Sequence, residues 1–480
     1  MEKDNSSKSR RFELRNIFGY LTFFAFLLFL TLFYFTNIPN GLSSAEMTSA
    51  TISGNLTLVN WLEQIVNLPY HALQWLSINF FDLSVLAIRL PSIIIAVLCG
   101  TLILSIIRQL NKPNIAIIAG LIVISTALFI TMARTGAPMI MPIFWCLLAI
   151  SATIHAISKP KHNLRWLVVA GTALALNVYS VFGIFLTVIC AVVALFHPKV
   201  RLHLFKTKPW KIIVTILIWL LLISPLVWGV INDPSIVQQL LGVSLSSLSW
   251  DTIVNNLTSV FWFTGNPSNG FVIPLIVMAE LGIAGIGLYN FIRHFHSARS
   301  YLALPLFIVV LILALLNIEA GPLLLVPMVL LIASGTSFLV EAWFSLFPRN
   351  PYARFIGAAS LTALIGWIIL MGCFRYFESN FYDKDLPYAF HSEIYVVNEI
   401  LEKNSDKTIS IISTNENELG FYSLLEKNNP NLNVTNKLNR ADITILFSSA
   451  FDQQGTNKSP TRIITNNLRN NSEILRIYQK

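Results

Sequence analysis

Charged residues are scarce. Asp, Glu, Lys and Arg make up 12% of the 480 residues, against 55% hydrophobic, and the mean hydropathy is +0.65. Soluble domains carry about a quarter charged residues, so an ordinary soluble globular fold is excluded, as are a disordered chain and a coiled coil. Cysteine is scarce too. Cys99, Cys146, Cys190 and Cys373 all lie in apolar runs, where a thiol behaves as a small hydrophobe. No disulfide framework or metal cluster is indicated. Internal repeats are missing, and the C-terminal segment has neither a Gly-rich phosphate loop nor a nucleophile elbow. Charge is also unevenly placed: residues 375–480 hold 25 of the 57 charges.

What is present is a series of long apolar runs. A spanning helix needs roughly 20 mostly apolar residues. About eleven such segments occur: 17–36, 85–107, 114–131, 138–157, 164–179, 181–196, 212–230, 271–292, 301–317, 321–340 and 354–374. The fold class expected is a polytopic α-helical membrane protein, with a transmembrane part over 1–374 and a small α/β domain over 375–480. Basic residues set the orientation. With the N-terminus in the cytoplasm, nineteen of the 21 Lys and Arg of the first 374 residues fall inside, and the long outer loops 37–84 and 231–270 contain none. The C-terminal domain is then extracytoplasmic. This asymmetry explains the pI of about 9.3 without a nucleic-acid partner.

Two arginines escape the rule. Arg89 and Arg134 fall near the outer ends of spans. Each either snorkels to headgroups or faces an anionic group at the outer surface. The first outer loop has two apolar stretches, 45–66 and 70–81, divided by Pro69 and expected to lie as helices in the interface. In the 231–270 loop, Ile236, Leu240, Leu241, Leu245 and Leu248 form one apolar face, residues 265–270 a turn-rich exit, and Asp233 and Asp251 read as helix caps. In the C-terminal domain, helices are expected at 391–403 and 416–426, and strands at 408–412, 443–447 and 474–478. Alternation of strand and helix predicts an α/β layer.

These features together resemble the GT-C membrane glycosyltransferases, in particular the protein O-mannosyltransferase and aminoarabinose-transferase branch. The first span ends in Pro39-Asn40-Gly41-Leu42, and Leu68-Pro69-Tyr70-His71 precedes the interfacial helix. Arg89-Leu90-Pro91-Ser92 opens the second span. Ala133-Arg134-Thr135-Gly136 lies between the third and fourth, and Pro322 and Pro327 pair in a late span. Two departures stand out. The acid that the family carries in its first loop is Ala45 here, followed by Glu46, and Ile318-Glu319-Ala320-Gly321 replaces the family's Arg-Tyr before the paired prolines.

The resemblance implies transfer of a sugar from a polyprenyl-phosphate donor to a cell-envelope glycan, lipid or protein acceptor, on the outer face of the cell membrane. Such chemistry needs a base for the acceptor hydroxyl, a cation for the phosphate leaving group and an apolar groove for the lipid. Glu46 is the expected catalytic residue. Arg89 and Arg134 are expected to bind the phosphate, and His71 and Glu280 are further substrate-binding candidates. The bland alternatives are a solvated loop acid for Glu46, interfacial packing for His71 and a structural pair for Glu280. An acid inside a span is otherwise a functional candidate by default. A divalent metal ion held by loosely placed carboxylates is a candidate cofactor. Two other functions stay open: an inert partner of the same fold in envelope glycan assembly, which Ala45 favours, and a lipid-linked-sugar transporter.

Overall fold

The computed structural model describes residues 2–57, 60–158, 163–242, 249–262, 271–346, 351–383, 386–404, 406–437, 441–453, 459–466 and 472–479. The chain begins with α1 (Glu2–Leu32). The first long loop carries a two-residue strand, β1 (Leu42–Ser43), then α2 (Ser44–Gly54) and α3 (Leu68–Phe81). There follow α4 (Val85–Leu110), α5 (Pro113–Ser125), α6 (Ala127–Arg134), α7 (Ile140–Ser158), α8 (Asn163–Asn177), α9 (Gly183–Phe196), α10 (Pro198–Lys206) and α11 (Pro209–Asn232). The second long loop holds α12 (Ser235–Leu241) and α13 (Trp250–Phe261). The helical part closes with α14 (Met278–Arg293), α15 (Ser300–Leu316), a 3-10 turn at Ile318–Leu324, α16 (Leu325–Leu346) and α17 (Pro351–Tyr382).

Helices occupy all eleven expected apolar segments. Among the described residues, five are single helices long and apolar enough to cross a membrane, or up to seven with each bent pair taken as one span. The bends have local causes. Between α5 and α6 the axis turns by 64° at Thr126, whose hydroxyl caps α6 at Phe129 N. Between α9 and α10 it turns by 77° before Pro198, because a residue preceding proline avoids the helical region. The main core joins α1, α4–α7 and α14–α17 through residues such as Phe23, Ile103, Phe129, Ile283 and Val329.

The C-terminal part contains β2 (Phe390–His391), α18 (Glu393–Lys403), β3 (Ile409–Ile412), α19 (Glu416–Asn428), β4 (Leu432–Thr435), β5 (Ile443–Phe447), β6 (Arg462–Asn466) and β7 (Ser472–Gln479). Its five-stranded sheet runs in the order β4-β3-β5-β7-β6. The first three strands are parallel, and β7 pairs antiparallel with β5 and β6. The crossover helix between the parallel strands covers one face, as βαβ units require.

Three expectations change. The stretch 45–66 is not a helix lying on lipid. Its one helix among the described residues, α2, packs on α19, and Met47 and Ala50 share a buried core with Phe421, Tyr422 and Ile411. Strand β1 also pairs with β2. Gly41 makes this possible: its φ is +98°, and a Cβ would sit 2.4 Å from the His391 carbonyl. The first loop and the sheet domain are thus one packed unit, and α17 runs through 374/375 without a break. The second change is that the 271–292 segment becomes helical only at Met278. Residues 272–276 are buried but irregular, with Pro274 lacking a donor. Third, Ser249 rather than Asp251 caps α13, and Asp251 sits in its first turn. The expected helix face at Leu245 and Leu248 and the turn at 265–270 lie outside the described residues, while Ile236 and Leu240 are buried beside Ile65 and Tyr179. Helix α3 covers the expected 70–81 stretch and exposes Leu73, Trp75, Leu76, Phe80 and Phe81.

Candidate active site

Helix α2 starts with a capping box. Ser43 Oγ accepts from Glu46 N at 3.2 Å, and Glu46 Oε2 accepts in return from Ser43 N at 2.8 Å. This reciprocal cap turns the Glu46 carboxylate back toward the helix start. There it meets Arg89 from the second turn of α4: Nε lies 2.9 Å from Oε1 and Nη2 3.5 Å from Oε2. Gly136 N donates to Oε1 at 2.7 Å. Both oxygens are therefore occupied by donors, and both side chains of the ion pair are wholly buried.

The rest of the Arg89 guanidinium faces backbone carbonyls. It donates to Phe35 O at 2.7 Å, Pro39 O at 3.2 Å and Gly41 O at 2.5 Å. A buried charge is tolerable only when its donors are met, and here the chain leaving α1 wraps around the arginine to meet them. Gly136 completes the arrangement. Any Cβ there would come within 2.6 Å of Ile88 O, so only glycine brings this N–H to the carboxylate.

Glu46 and Arg89, both expected near the outer interface, thus meet as a buried ion pair partnered within the protein. Neither residue is among the walls of the cavity beside them. The Glu46 oxygens are taken up by Arg89 and two backbone N–H groups, and the rest of the Arg89 guanidinium by carbonyls.

A cavity of about 350 Å³ does open beside this clamp, between α2, α3 and the start of α7. Its size is typical of small-ligand sites. Ala45, Thr48, His71, Thr135 and Glu319 are among its walls. Ala45 therefore stands at the cavity where the resemblance expects an acid, and its neighbour Glu46 points away. Among the lining residues there is no Lys or Arg, and His71 and Glu319 are the titratable side chains.

His71 is 2% exposed. Its Nδ1 lies 2.9 Å from Ser53 Oγ. Burial pushes its pKa down from 6.5 to about 4, because desolvation penalises the charged ring, so it is neutral at physiological pH. Glu319, on the turn after α15, is exposed to the cavity mouth.

Arg134, at the end of α6, is buried and does not line this cavity. Its Nη2 donates to Phe33 O. Its guanidinium carbon lies 5.4 Å from the ring centroids of both Tyr376 and Phe377, within cation–π range. Nε and Nη1 are buried with no hydrogen-bond partner among the described residues. Glu280 stands apart from all of these. It lies in the first turn of α14 rather than mid-helix, where a negative charge suits the helix dipole. Its Oε2 accepts from Val277 N at 3.3 Å, and its Oε1 is without a partner among the described residues.

No group of three or more His, Cys, Asp or Glu that could hold a metal ion exists among the described residues. The walls of the cavity offer one carboxylate and one imidazole, which do not make a divalent site. Sequence reasoning also missed three residues of this region, Glu319, Gln74 and Ser53. Helical spacing carried part of the signal: Ser49 and Ser53 on α2 sit four apart, and His71 and Gln74 on α3 sit three apart, so each pair shares a face.

The family of dolichyl-phosphate-mannose-protein mannosyltransferases matches residues 69–228, which include α3, His71, Arg89 and Arg134. No curated protein matches the chain by sequence. Solved structures match along nearly its whole length. ArnT from Cupriavidus metallidurans in the apo state aligns with a TM-score of 0.58 at 10% identity, covering 96% of this chain and 98% of that one. The same protein bound to undecaprenyl phosphate gives 0.57 at 10% identity, covering 95% and 97%. The apo oligosaccharyltransferase of Archaeoglobus fulgidus gives 0.54 at 13% identity, covering 87% of this chain and 64% of its own. Such distant likeness speaks for architecture alone. The chain shares its fold with ArnT along nearly its whole length.

Proposed function

We propose that this chain transfers a sugar from a polyprenyl-phosphate donor to a cell-envelope acceptor at the cavity between α2, α3 and α7. The observation that carries the reading is that cavity, lying under the first loop, with the family position Ala45 in its wall. The bound undecaprenyl phosphate of one ArnT structure supports a polyprenyl donor. The distribution of Lys and Arg supports an orientation with the first loop, the cavity and the sheet domain outside the cytoplasm and the N-terminus inside. Acceptors reach the cavity from that side.

Of the two candidate arginines, Arg134 keeps guanidinium nitrogens to spare; although it is buried behind the cavity wall, we assign the phosphate contact to it on the strength of those nitrogens. Arg134→Gln should weaken binding of undecaprenyl phosphate at least tenfold, since a charged hydrogen bond is worth about 1.5–3 kcal/mol. Unchanged binding would remove Arg134 from the site.

The function is tested with purified chain in liposomes, a panel of radiolabelled undecaprenyl-phosphate hexoses and pentoses, and an envelope acceptor fraction. Label passing from lipid to acceptor supports the transferase. Label staying on the lipid with every donor supports the inert partner, which the alanine at position 45 favours. Label crossing the bilayer with its bond to phosphate intact supports a transporter.

A further inference from the structure

The hydrogen bonds behind His71 have a direction that can be read from their fixed ends. Gln74 Nε2 lies 3.0 Å from Ile88 O and 3.1 Å from Gly136 O. Both are carbonyls and can only accept, so this end of the amide is the NH2. Gln74 Oε1 must then accept, and it does so from Ser49 Oγ and Ser53 Oγ, each at 2.7 Å. A serine hydroxyl has one proton. Ser53 gives that proton to Gln74, so toward His71 Nδ1, 2.9 Å away, it can only accept. The imidazole therefore carries its proton on Nδ1. In a neutral ring the other nitrogen, Nε2, is then a bare acceptor. Nδ1 is tied into the protein, and Nε2 has no hydrogen-bond partner among the described residues. His71 lines the cavity.

We propose that His71 is the general base of the transfer, taking the acceptor hydroxyl proton on Nε2, and that Gln74 and Ser53 are positioning residues that hold the required tautomer. This rests on the transferase reading above. The ring supplies the base for which the resemblance expects an acid at the position of Ala45. As the acceptor oxygen bonds to the anomeric carbon, its proton passes to Nε2. The bond from that carbon to the phosphate oxygen breaks, and its electron pair leaves with the polyprenyl phosphate.

Basicity fits the task. With its pKa pushed down to about 4, the ring matches a carboxylate, for which roughly 4 is usual, and it brings no negative charge toward the departing phosphate. The charged groups around it are few. Glu319, on the turn after α15, lines the same cavity, and Glu46 on α2 is turned onto Arg89.

The test uses the liposome assay with His71→Ala, Ser53→Ala and Ser53→Thr, together with nitrogen-15 spectra of histidine-labelled protein. His71→Ala should lower kcat by about 100-fold or more with little change in KM, the usual size of a general-base effect, and added imidazole should restore part of the rate. Ser53→Ala should lower kcat and move the acid limb of the pH profile downward, because the imidazolium loses an acceptor. Ser53→Thr, which keeps the hydroxyl, should restore both. The spectrum, assigned by its loss in His71→Gln, should show a protonated Nδ1 and a bare Nε2 at neutral pH.

An Nε2–H tautomer or an imidazolium would overturn the proposal whether or not transfer is seen. Wild-type transfer with an undiminished rate in His71→Ala would overturn the base assignment alone. Absence of transfer by the wild-type chain with every donor would remove the transferase reading, and a catalytic His71 with it.

Discussion

Replacing Glu46 by Gln separates a clamp from a catalyst. The wild-type carboxylate receives Ser43 N at 2.8 Å, Gly136 N at 2.7 Å and Arg89 Nε at 2.9 Å. An amide keeps one accepting oxygen and turns an NH2 against at least one of these donors. It also leaves the Arg89 guanidinium wholly buried with carbonyls alone for company. Breaking a buried ion pair by removing one partner costs about 3–5 kcal/mol. The carbonyls of Phe35, Pro39 and Gly41 offset part of that cost, which puts the expected loss near the lower end. The companion Arg89→Met leaves a buried carboxylate that still holds two backbone N–H groups. In the double variant both charges are gone, so its loss should be smaller than the sum of the singles, by about 1–3 kcal/mol of coupling. The assay is thermal or denaturant unfolding of purified protein in one detergent, run beside the transfer assay. A Glu46→Gln protein with wild-type stability and no transfer would refute the clamp and return Glu46 to the role of base.

Other outcomes follow from the same geometry. His71 titrates near 6.5 when unfolded and at about 4 when folded, so between those values the unfolded chain binds the extra proton. Stability should therefore fall as pH drops from about 6.5 to about 4, by about 3 kcal/mol in all. His71→Gln should lose this part of the acid dependence, and an unchanged pH slope in unfolding experiments would contradict it. Gly136→Ala should cost at least about 1–3 kcal/mol, the range for forcing an atom into a packed site, since its Cβ would lie 2.6 Å from Ile88 O. A variant with unaltered melting would show that Gly136 is not pressed against α4.

Much of the fold was legible because the bilayer imposes a length on apolar runs. Every expected apolar segment holds a helix, and the strand at Ile443–Phe447 lies where a run of β-branched and apolar residues puts it. Strands β4 and β6 escaped notice for a physical reason. Both are sheet edges, where partly exposed strands carry polar residues such as Asn433 and Arg462 and lose the apolar pattern. Helix α2 was misplaced on the lipid because its apolar face meets the sheet domain, a partner more than 350 residues away in sequence. The position of Glu46 was half readable. Ser43-x-x-Glu46 is a capping box written in the sequence, and it already turns the carboxylate inward. The other half, Gly136 N–H at 2.7 Å, is a tertiary contact that spacing does not reveal. Arg89 and Arg134 looked alike as lone cations, yet one is saturated by carbonyls and the other has two nitrogens unpartnered among the described residues. Only the fold separates them.

The most direct measurement is photolabelling of the purified chain by undecaprenyl phosphate carrying a photoreactive group on its first isoprene unit, with the labelled peptides identified by mass spectrometry. Label concentrated in peptides spanning 44–52, 67–71 and 135–142, and displaced by unmodified undecaprenyl phosphate, is the predicted result. Label spread along the lipid-facing helices, or gathered at the ends of α4 and α14 near Arg108 and Arg293, would contradict a lipid-phosphate site beneath the first loop.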